Sequence, residues 1–89
     1  MNAKFPLGRT VVTPNALTHL TCDDLLAGFE RHQSGDWGDM PESDRQENEM
    51  SLQQGFRLLS AYRAANGVKF WIVTEADRST TTVLLPDDY

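Results

Sequence analysis

Asn66-Gly67, set between two strand-like runs, constrains this chain more than any other pair of its residues. Phe56–Ala64 and Val68–Glu75 flank it, and Asn-Gly is the preferred dipeptide of a type I′ hairpin, because both central residues need positive φ. After the turn Ala76-Asp77-Arg78-Ser79, Thr80–Leu85 supplies a third strand, and Pro86 ends it. The last third of the chain therefore reads as a three-stranded antiparallel meander. Phe70, Ile72 and Thr74 fall on one face of its middle strand, Trp71 and Val73 on the other. Both faces are apolar, so something is expected to cover each.

The preceding residues read as helical. Gly8–Val12 is a short β-branched run suited to an edge strand. Thr13 followed by Pro14 is an N-cap and a first helical proline, predicting a helix over Pro14–Leu20. Thr21 caps a second helix, with Asp23 and Asp24 at its positive end. Leu25, Leu26, Phe29 and His32 share a face at helical spacing, and Ser34-Gly35 marks the end. Ser43-Asp44-Arg45-Gln46 has the form of a capping box for a polar third helix, whose main apolar residues are Met50 and Leu52 and whose stop is Gly55. The expected fold is α+β, one domain over residues 1–89. Two or three N-terminal helices pack on a three- to four-stranded antiparallel sheet in the order β-α-α-β-β-β.

Charge is segregated along the chain. The 89 residues carry thirteen acids against eight Lys and Arg, a net of −5. Residues 21–54 alone hold nine acids against Arg31 and Arg45, a net of −7, while residues 1–20 stand at +2 and residues 55–89 at zero. That balance argues against direct nucleic-acid binding, which needs clustered Lys and Arg. No apolar run approaches the roughly 18 residues of a membrane span, so no membrane contact is expected. One cysteine, Cys22, excludes an intramolecular disulfide and fits a reducing, cytoplasmic setting. Its acidic neighbours oppose a thiolate, and a buried or half-buried thiol is expected. His19 and Cys22 straddle the Thr21 cap, and Asp36, Asp39 and Glu42 miss calcium-loop spacing, so no metal is expected. Without a nucleophile elbow, phosphate loop or dinucleotide fingerprint, no cofactor or catalytic residue is assigned.

Two stretches are candidate partner-binding sites. In Gly35-Asp36-Trp37-Gly38-Asp39, Trp37 either folds back over the core or stands as an exposed anchor. Asp36 and Asp39, with Glu42 and Glu47 beyond, form its acidic rim in the second case. In Thr74–Ser79, Glu75, Asp77 and Arg78 form either an ordinary turn, with Arg78 paired to one of the acids, or a recognition tip.

The same stretches carry a resemblance. Gly35–Asp39, Arg57-Leu58-Leu59-Ser60-Ala61-Tyr62-Arg63, Phe70–Ser79 and Thr81-Thr82-Val83-Leu84-Leu85-Pro86 are similar to a family of small bacterial proteins encoded on plasmids and other mobile elements. It extends from about Phe5 to Tyr89 and brings no catalytic residues with it. It implies a role in maintenance, transfer or evasion of host defence. The element order separately resembles RelE/ParE-type toxins, in which basic sheet residues and a C-terminal Tyr act on RNA; the matching positions are Arg57, Arg63, Arg78 and Tyr89, with Tyr62 beside them. Three functions follow as expectations. The first is a non-enzymatic protein-binding accessory that inhibits a host defence complex of CRISPR or restriction type, its acidic helices meeting a basic protein or nucleoprotein surface. The second is an RNA-directed toxin or a relative of one. The third is a homo-oligomer joined through a free meander edge.

Overall fold

The structure, a computed structural model, describes residues 3–89. Side-chain caps set its helix starts. Thr13 accepts the Ala16 amide and opens α1 (Pro14–His19), and Thr21 and Asp24 bond each other's backbone amides in a full capping box that opens α2 (Cys22–Gln33). The third helix, α3 (Glu42–Gln54), begins two residues earlier than a Ser43 cap implies. Pro41 takes the cap position with no side-chain bond, so the Ser43 capping box does not form. Gly55 ends α3 in the left-handed region at φ 79°, as glycine allows.

Four strands follow from the apolar runs: β1 (Arg9–Val12), β2 (Leu58–Arg63), β3 (Lys69–Thr74) and β4 (Thr80–Leu84), in the sheet order β1-β4-β3-β2. The meander is antiparallel as expected, but β1 joins β4 in parallel, pairing Arg9 with Thr80 and Val12 with Val83. The sheet is therefore mixed rather than antiparallel. Local pattern marks β1 as an edge strand but carries no direction for a partner some 70 residues away. The β2–β3 turn also differs from the type I′ form. Gly67 has φ 88° while Asn66 stays at negative φ, and the Gly67 amide bonds the Ala64 carbonyl at 2.9 Å. That is a three-residue connection with a left-handed glycine, the next commonest hairpin.

Leu58, Ser60, Tyr62, Phe70, Ile72, Thr74, Thr81 and Val83 are buried on one sheet face. Ala16 of α1 and Leu20 at its C-cap, with Leu25 and Phe29 of α2, pack over it, while α3 flanks β2. A second small cluster joins Phe5, Trp37 and Leu58 to Leu7, Met40 and Leu52. The other face carries Leu59, Ala61, Trp71, Val73, Thr82, Leu84 and Val11. Among the described residues no α-helix packs there, yet Ala61, Val73 and Leu84 are buried, so the cover expected on this side is partial. A short turn at Pro86–Asp88 returns along β3 and sets Tyr89 edge-on to Trp71, ring centroids 5.6 Å apart.

The β2 edge is closed from outside. The Asn48 side-chain amide pairs with both backbone groups of Leu59, at 2.7 and 3.1 Å, as a neighbouring strand would. Next to it, Ala61 bonds the Trp37 carbonyl and the Asp39 amide at 3.1 and 2.7 Å. Gly38 makes that approach achievable. It sits at φ 76°, and a Cβ there would lie 2.0 Å from the Ala61 carbonyl oxygen. Gly38→Ala combines a left-handed penalty of about 1–2 kcal/mol with a backbone collision. It is expected to lower the urea midpoint by more than twice as much as Gly55→Ala, where the same penalty meets open space. Asn48→Leu, which keeps volume but strands two buried backbone groups, is expected to cost about 2–4 kcal/mol in urea unfolding.

Candidate functional site

The loop after α2 is built inward. Trp37 is only 4% exposed, stacks near Phe5, and donates its ring N–H to Glu49 at 2.8 Å. The exposed-anchor reading of Trp37 is thereby corrected: two glycines and two acids around a tryptophan describe a tight lid over a small core. Arg31 binds Asp36 at 2.7 Å, holding that carboxyl below its usual range, and the same guanidinium lies 4.5 Å over the Tyr62 ring. The Tyr62 hydroxyl donates to the Asp36 carbonyl, and burial pushes the phenol pKa up.

The remaining partner-binding candidates are dispersed. Asp39 is exposed beside the Ala61 bridge, and Glu42 is exposed in the first turn of α3. Glu75 lies half-buried, 3.5 Å from Arg57. Asp77 accepts the Ser79 amide at 3.0 Å, and its bonds to Ser79 hold its pKa low. Arg78 departs furthest from expectation. It pairs with neither Glu75 nor Asp77 and does not form an outward tip. It occupies the left-handed region at φ 61° and turns its guanidinium inward, onto the carbonyls of Phe56 (2.7 Å), Ser51 (3.0 Å), Glu75 and Ala76 (both 3.2 Å). It thus ties the β3–β4 turn to the end of α3.

Two of the eight line concavities: Asp39 an open one of about 250 Å³ beside Arg31, Tyr62 and Arg63, and Glu47 a larger one. Between α3 and the start of β2 runs an open groove of about 440 Å³, bounded by Met40, Met50, Phe56 and Leu59, with Asp44, Glu47 and Arg57 around it. Met50 and Phe56 are more than half exposed. The reading of α3 as a polar surface helix noted Met50 but had no means of bringing it beside Phe56, which lies outside the helical period.

A second feature escaped the sequence. His32 is wholly buried, with Nδ1 on the Ser60 hydroxyl and Nε2 on the Thr74 hydroxyl at 2.8 Å. Thr74 meets Thr81 at 2.8 Å, and Thr81 donates to the Leu7 carbonyl at 2.7 Å. Each hydroxyl has one proton, so the last bond fixes the rest. Thr74 donates to Thr81, His32 Nε2–H donates to Thr74, and Ser60 donates to Nδ1. The imidazole is held neutral, its pKa lowered to about 3 by burial first and by the Arg78 charge second. An array with every group satisfied and no opening to solvent is structural rather than catalytic.

Of the four positions shared with the toxin layout, Arg57, Arg63 and Tyr89 lie on the helix-free sheet side, where Arg57 bonds the Tyr89 hydroxyl at 3.2 Å. Arg78 does not, being committed to the carbonyls above. Cys22 is exposed at the start of α2, not buried, because the capping Thr21 turns the first helical residue outward. Among the described residues no cluster of three metal-ligating side chains occurs, and no helix is long and apolar enough to cross a membrane. No protein-family model matches the chain, nor does any curated protein or solved structure, so the candidate site rests on its own geometry.

Proposed function

We propose that this protein is a non-enzymatic binding factor that captures a basic segment of a partner protein in the groove between α3 and β2. One observation carries the reading: exposed Met50 and Phe56, with Met40 and Leu59, lie beside Asp44 and Glu47 at the foot of an acidic helix. Apolar contact supplies affinity, and the acids select cationic partners and speed their encounter. The resemblance to mobile-element proteins extends the proposal to a host defence complex, of CRISPR or restriction type, as the partner.

Two measurements test it. Cross-linking in host cells is expected to join α3 to a basic segment of one partner, and Phe56→Ser or Glu47→Lys to weaken the purified complex at least tenfold. Unchanged affinity in both variants overturns the groove. Expression is also expected to raise the transformation of a restricted or CRISPR-targeted plasmid. Binding without such protection removes the defence role and leaves the binding role standing.

A further inference from the structure

The sheet has one edge left open. β2 is closed along its middle by the Asn48 amide and by the Trp37–Asp39 loop, and β4 is taken by β1, so the outer side of β1 is the edge that remains. The chain leading into it stays clear. Gly8 leans so closely on the β3–β4 turn that a Cβ there would strike the Arg78 and Ser79 carbonyls, and the Leu7 carbonyl accepts from Thr81. Arg9, Thr10 and Val11 are exposed, and the strand carries neither a proline nor a bulge to discourage pairing.

Backbone direction determines how this edge can be filled. The Arg9 amide donates to the Ser79 carbonyl and the Thr13 amide to the Val83 carbonyl, at 2.9 and 3.0 Å. Bonding direction alternates along a strand, so Arg9, Val11 and Thr13 turn their backbone groups to β4 while Thr10 and Val12 turn theirs outward. Among the described residues no hydrogen bond reaches those outward groups. Side chains alternate as well. Arg9 and Val11 stand on the helix-free face, with Val11 37% exposed, whereas Val12 packs against the core.

We propose that β1 pairs antiparallel with β1 of a second copy of this chain, about a two-fold axis through Val11, joining two sheets into one of eight strands. In that register Thr10 of each copy faces Val12 of the other and exchanges both backbone bonds with it, so the outward groups of both residues are satisfied. Val11 meets its own counterpart across the axis. Arg9 falls opposite Thr13 of the second copy, whose hydroxyl holds Asp88 at 2.7 Å. Arg9 and Asp88 are exposed, and among the described residues neither has an ion-pair partner in its own chain. The two-fold sets each Arg9 beside the second copy's Asp88. A foreign strand could satisfy the backbone, but it would have to bring both an acid for Arg9 and a cation for Asp88. The second copy brings both by symmetry. This pairing is independent of the groove, which lies at the opposite, β2 edge of the sheet.

So short a seam belongs among the weak interfaces. Sedimentation velocity at physiological salt, where the ~8 Å Debye length screens the −5 of each copy, is expected to show monomer at about 10 µM and dimer at about 1 mM. Over the same range the Thr10 and Val12 amides should gain at least tenfold in protection from hydrogen exchange. Arg9→Glu sets acid against acid at an exposed position. It is expected to raise the dimer Kd at least tenfold and to leave the urea midpoint of the dilute protein unchanged. Cross-linking in a Cys22→Ser background reads the register. Val11→Cys lies on the axis in a non-hydrogen-bonded pair, with Cα atoms about 4.5 Å apart and within disulfide range. Under mild oxidation it should form a covalent dimer at least tenfold faster than Thr10→Cys. A monomer through about 1 mM overturns the proposal. So does a dimer whose Thr10 and Val12 amides exchange freely, whose Kd ignores Arg9→Glu, or which Thr10→Cys links as readily as Val11→Cys.

Discussion

His32→Ala is expected to leave little folded protein at 25 °C. The substitution opens a cavity in the buried core, strands the Ser60 hydroxyl and takes away the donor to Thr74, which keeps only its bond to Thr81. Cavity formation costs about 2–5 kcal/mol and each stranded buried group about 1–3, against a total stability of roughly 5–10 kcal/mol for a domain of this size. His32→Gln keeps polar atoms near both hydroxyls and is expected to lose about half as much.

The same residue sets the acid response. The neutral imidazole has its pKa lowered from 6.5 to about 3 in the folded state, so below pH 6.5 the unfolded chain binds a proton that the folded chain refuses. Stability from this group is complete above pH 6.5 and falls as pH falls toward 3, by about 1.4 kcal/mol per unit. Wild type is therefore expected to lose about 2 kcal/mol between pH 6.5 and 5, above the range where carboxylates titrate. His32→Gln, though less stable at pH 7, should show no such slope in urea unfolding at matched ionic strength. An equal slope in the variant assigns the acid sensitivity to other groups.

Arg78 is the second position where one side chain holds several elements. Its guanidinium serves four carbonyls from the end of α3, the start of β2 and its own turn, so Arg78→Ala is expected to cost about 3 kcal/mol. Arg78→Gly loses the same bonds but releases the positive φ, and should recover about 1 kcal/mol of that loss. Arg78→Lys places one charge where a planar fork reaches several oxygens, and should fall closer to alanine than to wild type. The Arg78 charge also helps keep His32 neutral, so Arg78→Met should raise the His32 pKa, as read by NMR titration of its ring protons. A His32 titration that does not move separates the two residues and leaves burial as the whole cause.

The local features of this fold were legible in residue order. The Thr13 and Thr21 caps, the Gly55 stop and the meander are fixed by neighbours within a few positions. What escaped depends on residues brought together from afar. The direction of β1 is decided by β4, Asn48 acts as a strand only because Leu59 lies beside it, and Arg78 turns inward toward carbonyls that sequence spacing cannot place. Trp37 is the instructive case among the site residues. Its acidic, glycine-flanked setting left a core lid and an exposed anchor both open, and those glycines are what let the loop lie flat on β2 and bury the ring. The groove was half visible, since Met50 and Glu47 could be read from α3 but their partner Phe56 could not.

The parallel pairing of β1 has a consequence for how this molecule opens. Arg9 meets Thr80 across most of the chain, whereas β2, β3 and β4 are joined by short turns. Closing so long a loop carries an entropy cost that local contacts do not repay, and β1 is exposed along most of its length. The sheet is thus expected to unzip from β1 while the meander stays closed, as a separate cooperative unit. Hydrogen exchange should register this as early loss of protection at Val11 and Thr13, with Ile72 and Val83 released only on global unfolding. Each such opening uncovers one edge of β4, so the protein's exposure to strand-mediated aggregation is governed by the breathing of four residues at its margin.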